Sequence, residues 1–247
     1  MTWLHAVIDV PRDQYSVAAD FWSTTLGWPL GPPWDGHPEL QSFEPQVGTP
    51  YLHLQVIEGP SRVHVDVASD DPDATVAEAV GLGADCVAER DRWRTLISPG
   101  GLPFCVVRSG RHETPQPVAW PGGQRSRMVQ VCIDSPRTAH DREVQFWTDL
   151  LGGHFDLSPA REFAGKWHHD GSPLQLLFQR LDDEAGVVRA HLDHGTDDRA
   201  AEVRRLLALG AEDVGPGRGW HVLRDPTGSA FCVTDNSPEA VHHRDLG

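Results

Sequence analysis

The chain has 247 residues with 21 basic and 36 acidic side chains, a formal net charge of −15. That balance disfavours nucleic acid and anionic membrane surfaces as partners, and the longest apolar runs are strand-sized, too short to span a bilayer. The first residues, Met1 to His5, carry no basic or apolar signal stretch, so the expected compartment is the cytoplasm.

Residues 3–10 alternate as a strand does, and Pro11 ends it. Tyr15, Ala18, Ala19, Phe21, Trp22 and Leu26 recur at three- and four-residue spacing, which predicts a helix stopped by Gly27. Trp28 leads into a Pro/Gly-rich loop, followed by strand candidates around 40–43 and 51–57. Residues 63–67 form the next strand. The acidic run from Asp70 to Asp73 then suits a helix start. Val76, Ala79, Val80 and Leu82 supply that helix's apolar face, and short strands follow near 86–88, 94–98 and 104–107. Each of these stretches reads β-α-β-β-β. Residues 108–126 are rich in Pro and Gly and connect the halves, with Trp120 as an anchor on one of them.

The second half repeats the plan. Asp134 and Pro136 match Asp9 and Pro11, and Phe146-Trp147 match Phe21-Trp22. His64 and His191, Leu82 and Leu209, Trp93 and Trp220, and Cys105 and Cys232 are each 127 residues apart. A fixed offset over so many identities marks an internal duplication. The expected organisation is two α+β domains, 1–112 and 127–247, joined by a linker over 113–126, each long enough to bury its own core. The cysteines (Cys86, Cys105, Cys132 and Cys232) lack metal-type spacing and read as buried, reduced thiols. His168-His169-Asp170 reads as a solvated turn, and His242-His243 as part of a solvated tail.

Phe21-Trp22 with Leu26-Gly27-Trp28, His64-Val65-Asp66, Leu82-Gly83-Ala84, and Asp225-Pro226-Thr227-Gly228 with Phe231-Cys232 together resemble the vicinal oxygen chelate superfamily. Within it, they resemble the glyoxalase-like branch, alongside bleomycin-resistance proteins and extradiol dioxygenases. The resemblance covers nearly the whole chain. It implies two tandem domains, each a pair of βαβββ modules curling their strands into an open cup with helices outside. Strand parity agrees: His5, His64 and Cys105 fall opposite the aliphatic positions of their strands, and so face the cup.

In metal-using members of the superfamily, His or Gln on the first strand, His on the fifth and Glu on the eighth hold the ion. Carried over, the first half offers His5 and His64 with Cys105 in place of the carboxylate, and His53 as a substitute from the fourth strand. The second half offers Gln130, His191 and Cys232. A thiolate in the carboxylate's place favours softer ions, zinc or copper; the cofactor the resemblance implies is a divalent metal (zinc, iron or manganese) in the first domain. Trp28, Trp34 and Trp93, with His53, are the expected ligand-binding residues of the first cup, because amphipathic aromatics suit a flat organic molecule. The first cup, with the richer rim, is expected to be the better formed.

Three readings of function follow. The first is a binding protein holding a small, partly aromatic or hydrophobic molecule, for sequestration or resistance, without an obligatory metal. The second is a divalent-metal lyase, isomerase or dioxygenase using His5 and His64. The third is a scaffold whose cups are filled by their own side chains. Nothing in the sequence sets an oligomeric state.

Overall fold

The computed structural model describes residues 3–239; the expected His242-His243 tail lies outside them. The first half runs β1 (Trp3–Pro11), α1 (Tyr15–Leu26), β2 (Leu30–Trp34), β3 (His37–Phe43), β4 (Leu52–Ile57), β5 (Arg62–Ser69), α2 (Pro72–Gly81), β6 (Asp85–Glu89), β7 (Trp93–Ile97) and β8 (Pro103–Arg108). The second runs β9 (Val118–Ala119), β10 (Arg125–Ser135), α3 (Arg137–Leu151), β11 (His154–Leu157), β12 (Phe163–His168), β13 (Gln175–Arg180), β14 (Arg189–Thr196), α4 (Arg199–Ala208), β15 (Glu212–Pro216), β16 (Trp220–Arg224) and β17 (Ala230–Thr234).

Two sheets result, in the order β2-β3-β4-β1-β5-β8-β7-β6 and β11-β12-β13-β10-β14-β17-β16-β15. At the centre of each, β1 and β5, and likewise β10 and β14, pair antiparallel, and each of these pairs parallel with a strand of its own module: β1 with β4, β5 with β8, β10 with β13 and β14 with β17. The α+β architecture of tandem βαβββ modules is therefore the one expected.

The duplication is visible in local chemistry. Asp71 and Asp198 cap α2 and α4 by accepting from the backbone N–H of Ala74 and Ala201. Each helix then ends in Leu-Gly-Ala, whose glycines, Gly83 and Gly210, adopt φ of 102° and 103°, a region costly for any residue with a Cβ.

The halves do not keep separate cores. Phe21 and Trp22 of α1 pack edge-on against Phe231 of β17, at centroid distances of 5.9 and 5.3 Å. Phe146 and Trp147 of α3 pack the same way on Phe104 of β8, at 5.7 and 5.1 Å. Each first helix thus covers the other half's sheet, and one apolar core runs through both. The reason is that α2 and α4 bury few residues, leaving the backs of β8 and β17 to be covered from across the duplication.

The expected linker is ordered and short. β10 begins at Arg125, inside the stretch assigned to the linker, and β9 pairs with it. Trp120 donates to Ser126 Oγ at 2.7 Å and carries the Arg205 guanidinium 3.6 Å above its ring. Among the described residues, no helix is long and apolar enough to cross a membrane.

Candidate functional site

At the floor of each cup the same four side chains meet. In the first, His64 Nδ1 lies 2.9 Å from Asp9 Oδ2 and its Nε2 lies 3.2 Å from Asp66 Oδ1. In the second, His191 lies 3.0 Å from Asp134 and 3.3 Å from Asp193, with Cys232 Sγ 3.6 Å from its Nε2. Period-2 geometry puts His64 and Asp66 on one face of β5, and the β5–β8 register sets Asp66 beside Cys105. β14 and β17 do the same for Asp193 and Cys232.

Burial opposes a charge on His64, but Asp9 and Asp66 on either side outweigh it and hold its pKa well above the ordinary value. The Cys105 thiol is pushed up by burial and by Asp66, so it rests protonated.

Asp66 Oδ1 and Asp193 Oδ1 are buried and make no hydrogen bond, being out of line with the nearby imidazole. The ligand atoms of His64, Asp66 and Cys105 all lie within 4.8 Å of one another, as do those of His191, Asp193 and Cys232. One imidazole nitrogen, one unbonded carboxylate oxygen and one thiol suit a soft divalent ion such as zinc. Asp9 and Asp134 would be the outer carboxylates that orient the histidines. Sequence reasoning did not count Asp9 and Asp66 among the candidate ligands and so missed both. Their parity with His5 and His64 was the available signal.

His5 is the departure from expectation. It faces the cup but stands outside this cluster, with its Nδ1 3.0 Å from His53 Nε2. Trp34 donates to Ser42 Oγ, and Ser42 contacts His53 Nδ1, each at 3.0 Å. Since Ser42 already receives one proton, the network assigns its own hydroxyl proton to His53, which then donates to His5. Burial, reinforced by neighbouring histidines, lowers the pKa of both His5 and His53 to about 3. The pair rests neutral, and its facing nitrogens are spent on each other.

Trp34, His53 and Trp93 line the first cup as expected. Trp28 does not: it is 4% exposed and packs edge-on against Tyr51 in the core, because the chain turns inward at Gly27. Two further expectations are corrected. Cys86 is exposed, since it sits on the edge strand β6, while the other three cysteines are buried. His168 is buried at the end of β12, 3.0 Å from Asp156 and stacked on His154.

The first cup's space is divided into cavities of about 270 Å³ over His64 and Cys105 and about 560 Å³ over His5 and His112. The second cup holds a cavity of about 420 Å³. Its floor is Gln130, His191, Asp193 and Cys232, and its walls are Leu157, Phe163, Leu177 and Trp220. Trp220 stands edge-on to Phe163 at 5.7 Å. The second cup is thus neither filled nor collapsed, contrary to the expectation of a weaker or filled counterpart.

The sequence profile described as "Glyoxalase-like domain" matches residues 5–107 and again 130–234. The chain belongs to the glyoxalase-like domain family. No curated protein matches it. Among solved structures, it is similar to the Mn(II)-bound glyoxalase from Novosphingobium aromaticivorans, at 19% identity and TM-score 0.69, over 99% of this chain and 86% of that one. It is also similar to a mutant 4-hydroxymandelate synthase from Streptomyces coelicolor, at 14% and 0.60, over 98% and 94%. A homoprotocatechuate 2,3-dioxygenase variant from B. fuscum in complex with HPCA matches at 15% and 0.56, over 94% and 70%. At such identities these likenesses establish a shared fold, that of the vicinal oxygen chelate superfamily in tandem arrangement.

Proposed function

We propose that this protein binds a small, partly aromatic organic molecule, and that the second cup is its principal site. One observation carries the reading: a cavity of about 420 Å³ with Trp220 and Phe163 as walls over the polar floor of His191 and Gln130, the size and make-up of a small-ligand pocket. Trp220 and Phe163 would stack on the ligand. Gln130, held toward Asp193 by a hydrogen bond, and His191 would orient its polar edge.

Titration with 2-naphthamide, an uncharged aromatic probe, should quench tryptophan fluorescence and raise the thermal midpoint. Trp220→Ala should remove that response and Trp93→Ala should spare it. The opposite pattern would return the site to the first cup, and no binding by either cup would leave the scaffold reading.

A second reading, a metal-dependent enzyme, is favoured by the unbonded Asp66 and Asp193 oxygens within reach of a histidine nitrogen and a thiol. A divalent ion held there would polarise an oxygen of the bound molecule. The residues would present the molecule's face to that point and shelter it from water. Added zinc should raise stability by about 2.7 kcal/mol for each site at a hundredfold excess over Kd. Cys105→Ala and Cys232→Ala should each remove one site. A metal-insensitive midpoint would exclude this reading and leave ligand binding untouched.

A further inference from the structure

The two cups differ in charge as well as in shape. In the second cup, Lys166 and Arg218 both line the cavity. Lys166 Nζ donates to a neutral partner, Asn236 Oδ1, at 2.8 Å, and among the described residues neither cation has a carboxylate within 4.0 Å. The three acidic residues lining the same cavity have closer partners, although Asp193 and Asp156 still favour the charge on Lys166. Asp156 faces His168 at 3.0 Å, Asp235 receives Arg199, and Asp193 receives Gln130.

The counterparts in the first cup are not basic. β12 pairs Lys166 with Leu177 as β3 pairs Ser42 with His53, so Lys166 stands where Ser42 does. Arg218 lies two residues before Trp220, and Asp91 holds that place before Trp93. The duplication has therefore placed a lysine in the wall of the second cavity where the first has a serine; arginines (Arg62, Arg90, Arg92 and Arg108) line the first cup as well, but none takes the Lys166 position.

We propose that the second cup takes an organic anion: a molecule with an apolar, ring-bearing body and one carboxylate, the body against Trp220 and Phe163 and the charge toward Lys166 and Arg218. This rests on the ligand-binding reading above and adds the chemical class. Lys166 is the stronger determinant, because it is partly buried and an anion would replace the water it has lost. Arg218 is exposed and acts on encounter and at the rim.

Calorimetric titration of the full chain with 2-naphthoate and with 2-naphthamide separates the two ideas, since the probes share shape and differ in charge. The acid should bind about tenfold more tightly than the amide, a difference of about 1.4 kcal/mol. Lys166→Met should remove most of the acid's advantage over the amide and leave the amide unchanged. Arg218→Gln, at an exposed position that folding does not require, should weaken the acid alone and by less, with a slower on-rate that salt no longer affects. Equal binding of acid and amide to the unaltered protein would overturn this inference while the ligand-binding reading stood. Binding of neither probe would overturn both.

Discussion

In the first cup, Ser42 and His53 face the interior from β3 and β4, and His5 joins them from β1. In the second, the strand register puts Lys166, Leu177 and Gln130 at those three places. The floors, by contrast, are the same: Asp, His, Asp and Cys in each, at matching positions. The Asp-His-Asp-Cys set has been kept in both copies, while the side chains around it have diverged, His5 and Gln130 on the central strands included. A buried histidine between two carboxylates cannot lose one partner without stranding a charge, whereas a wall residue can change with little effect on its neighbours. The copies therefore share whatever the floor does and differ in what they admit.

The shared core is the first point at which this comparison can be broken. Phe104 and Phe231 are fully buried, and each packs on the other half's first helix. Phe104→Ala and Phe231→Ala should each cost about 3–5 kcal/mol, and urea unfolding followed by fluorescence and by circular dichroism should remain one coincident transition. Two separated transitions would mean that the halves unfold independently, against the merged core.

A smaller effect belongs to the first cup alone. His5 and His53 are buried neutral, with pKa values lowered to about 3 against 6.5 in the unfolded chain. Between those values the unfolded state binds more protons, so their contribution is complete above pH 6.5 and is lost as pH falls toward 3. From pH 6.5 to 5.5 the loss is about 1 kcal/mol for each histidine. The double variant His5→Gln with His53→Leu copies the second cup and should flatten the pH profile over this interval by about 2 kcal/mol. Parallel profiles would show that the pair is not held neutral.

Much of this was legible in the chain itself. The constant offset exposed the duplication, strand parity put His5, His64 and Cys105 toward the interior, and the quoted motifs pointed to the superfamily. Parity gives only the face, however. Whether His5 turns to His53 or to His64 depends on β4 pairing with β1, a contact between residues 48 apart in sequence. Trp28 was misplaced for a similar reason: an aromatic beside a Pro/Gly loop looks like a rim residue unless Tyr51 is known to lie over it. The crossed helices were invisible because Phe21-Trp22 reads as an apolar face whichever sheet it covers.

The finest test uses the two tryptophans that anchor those crossed helices. Trp22 Nε1 donates to Asp225 Oδ2 of the other half at 3.0 Å, and Trp147 Nε1 donates to Glu143 Oε1 of its own helix at 2.8 Å. The difference follows from one substitution in the duplication: Ser98 stands where Asp225 does, so α3 supplies its own acceptor. Asp225 spends Oδ1 on Thr227 and Ser229, and Trp22→Phe leaves its buried Oδ2 without this donor. Glu143 keeps Gly100 N on Oε2, and burial already pushes its pKa up, so after Trp147→Phe it can meet the loss by taking a proton. Both substitutions remove the same ring volume, which cancels in the comparison. Trp22→Phe should therefore lower the urea midpoint more, with an excess cost of about 1 kcal/mol. Equal midpoints would mean that the bond across the halves adds no more than the one within the helix.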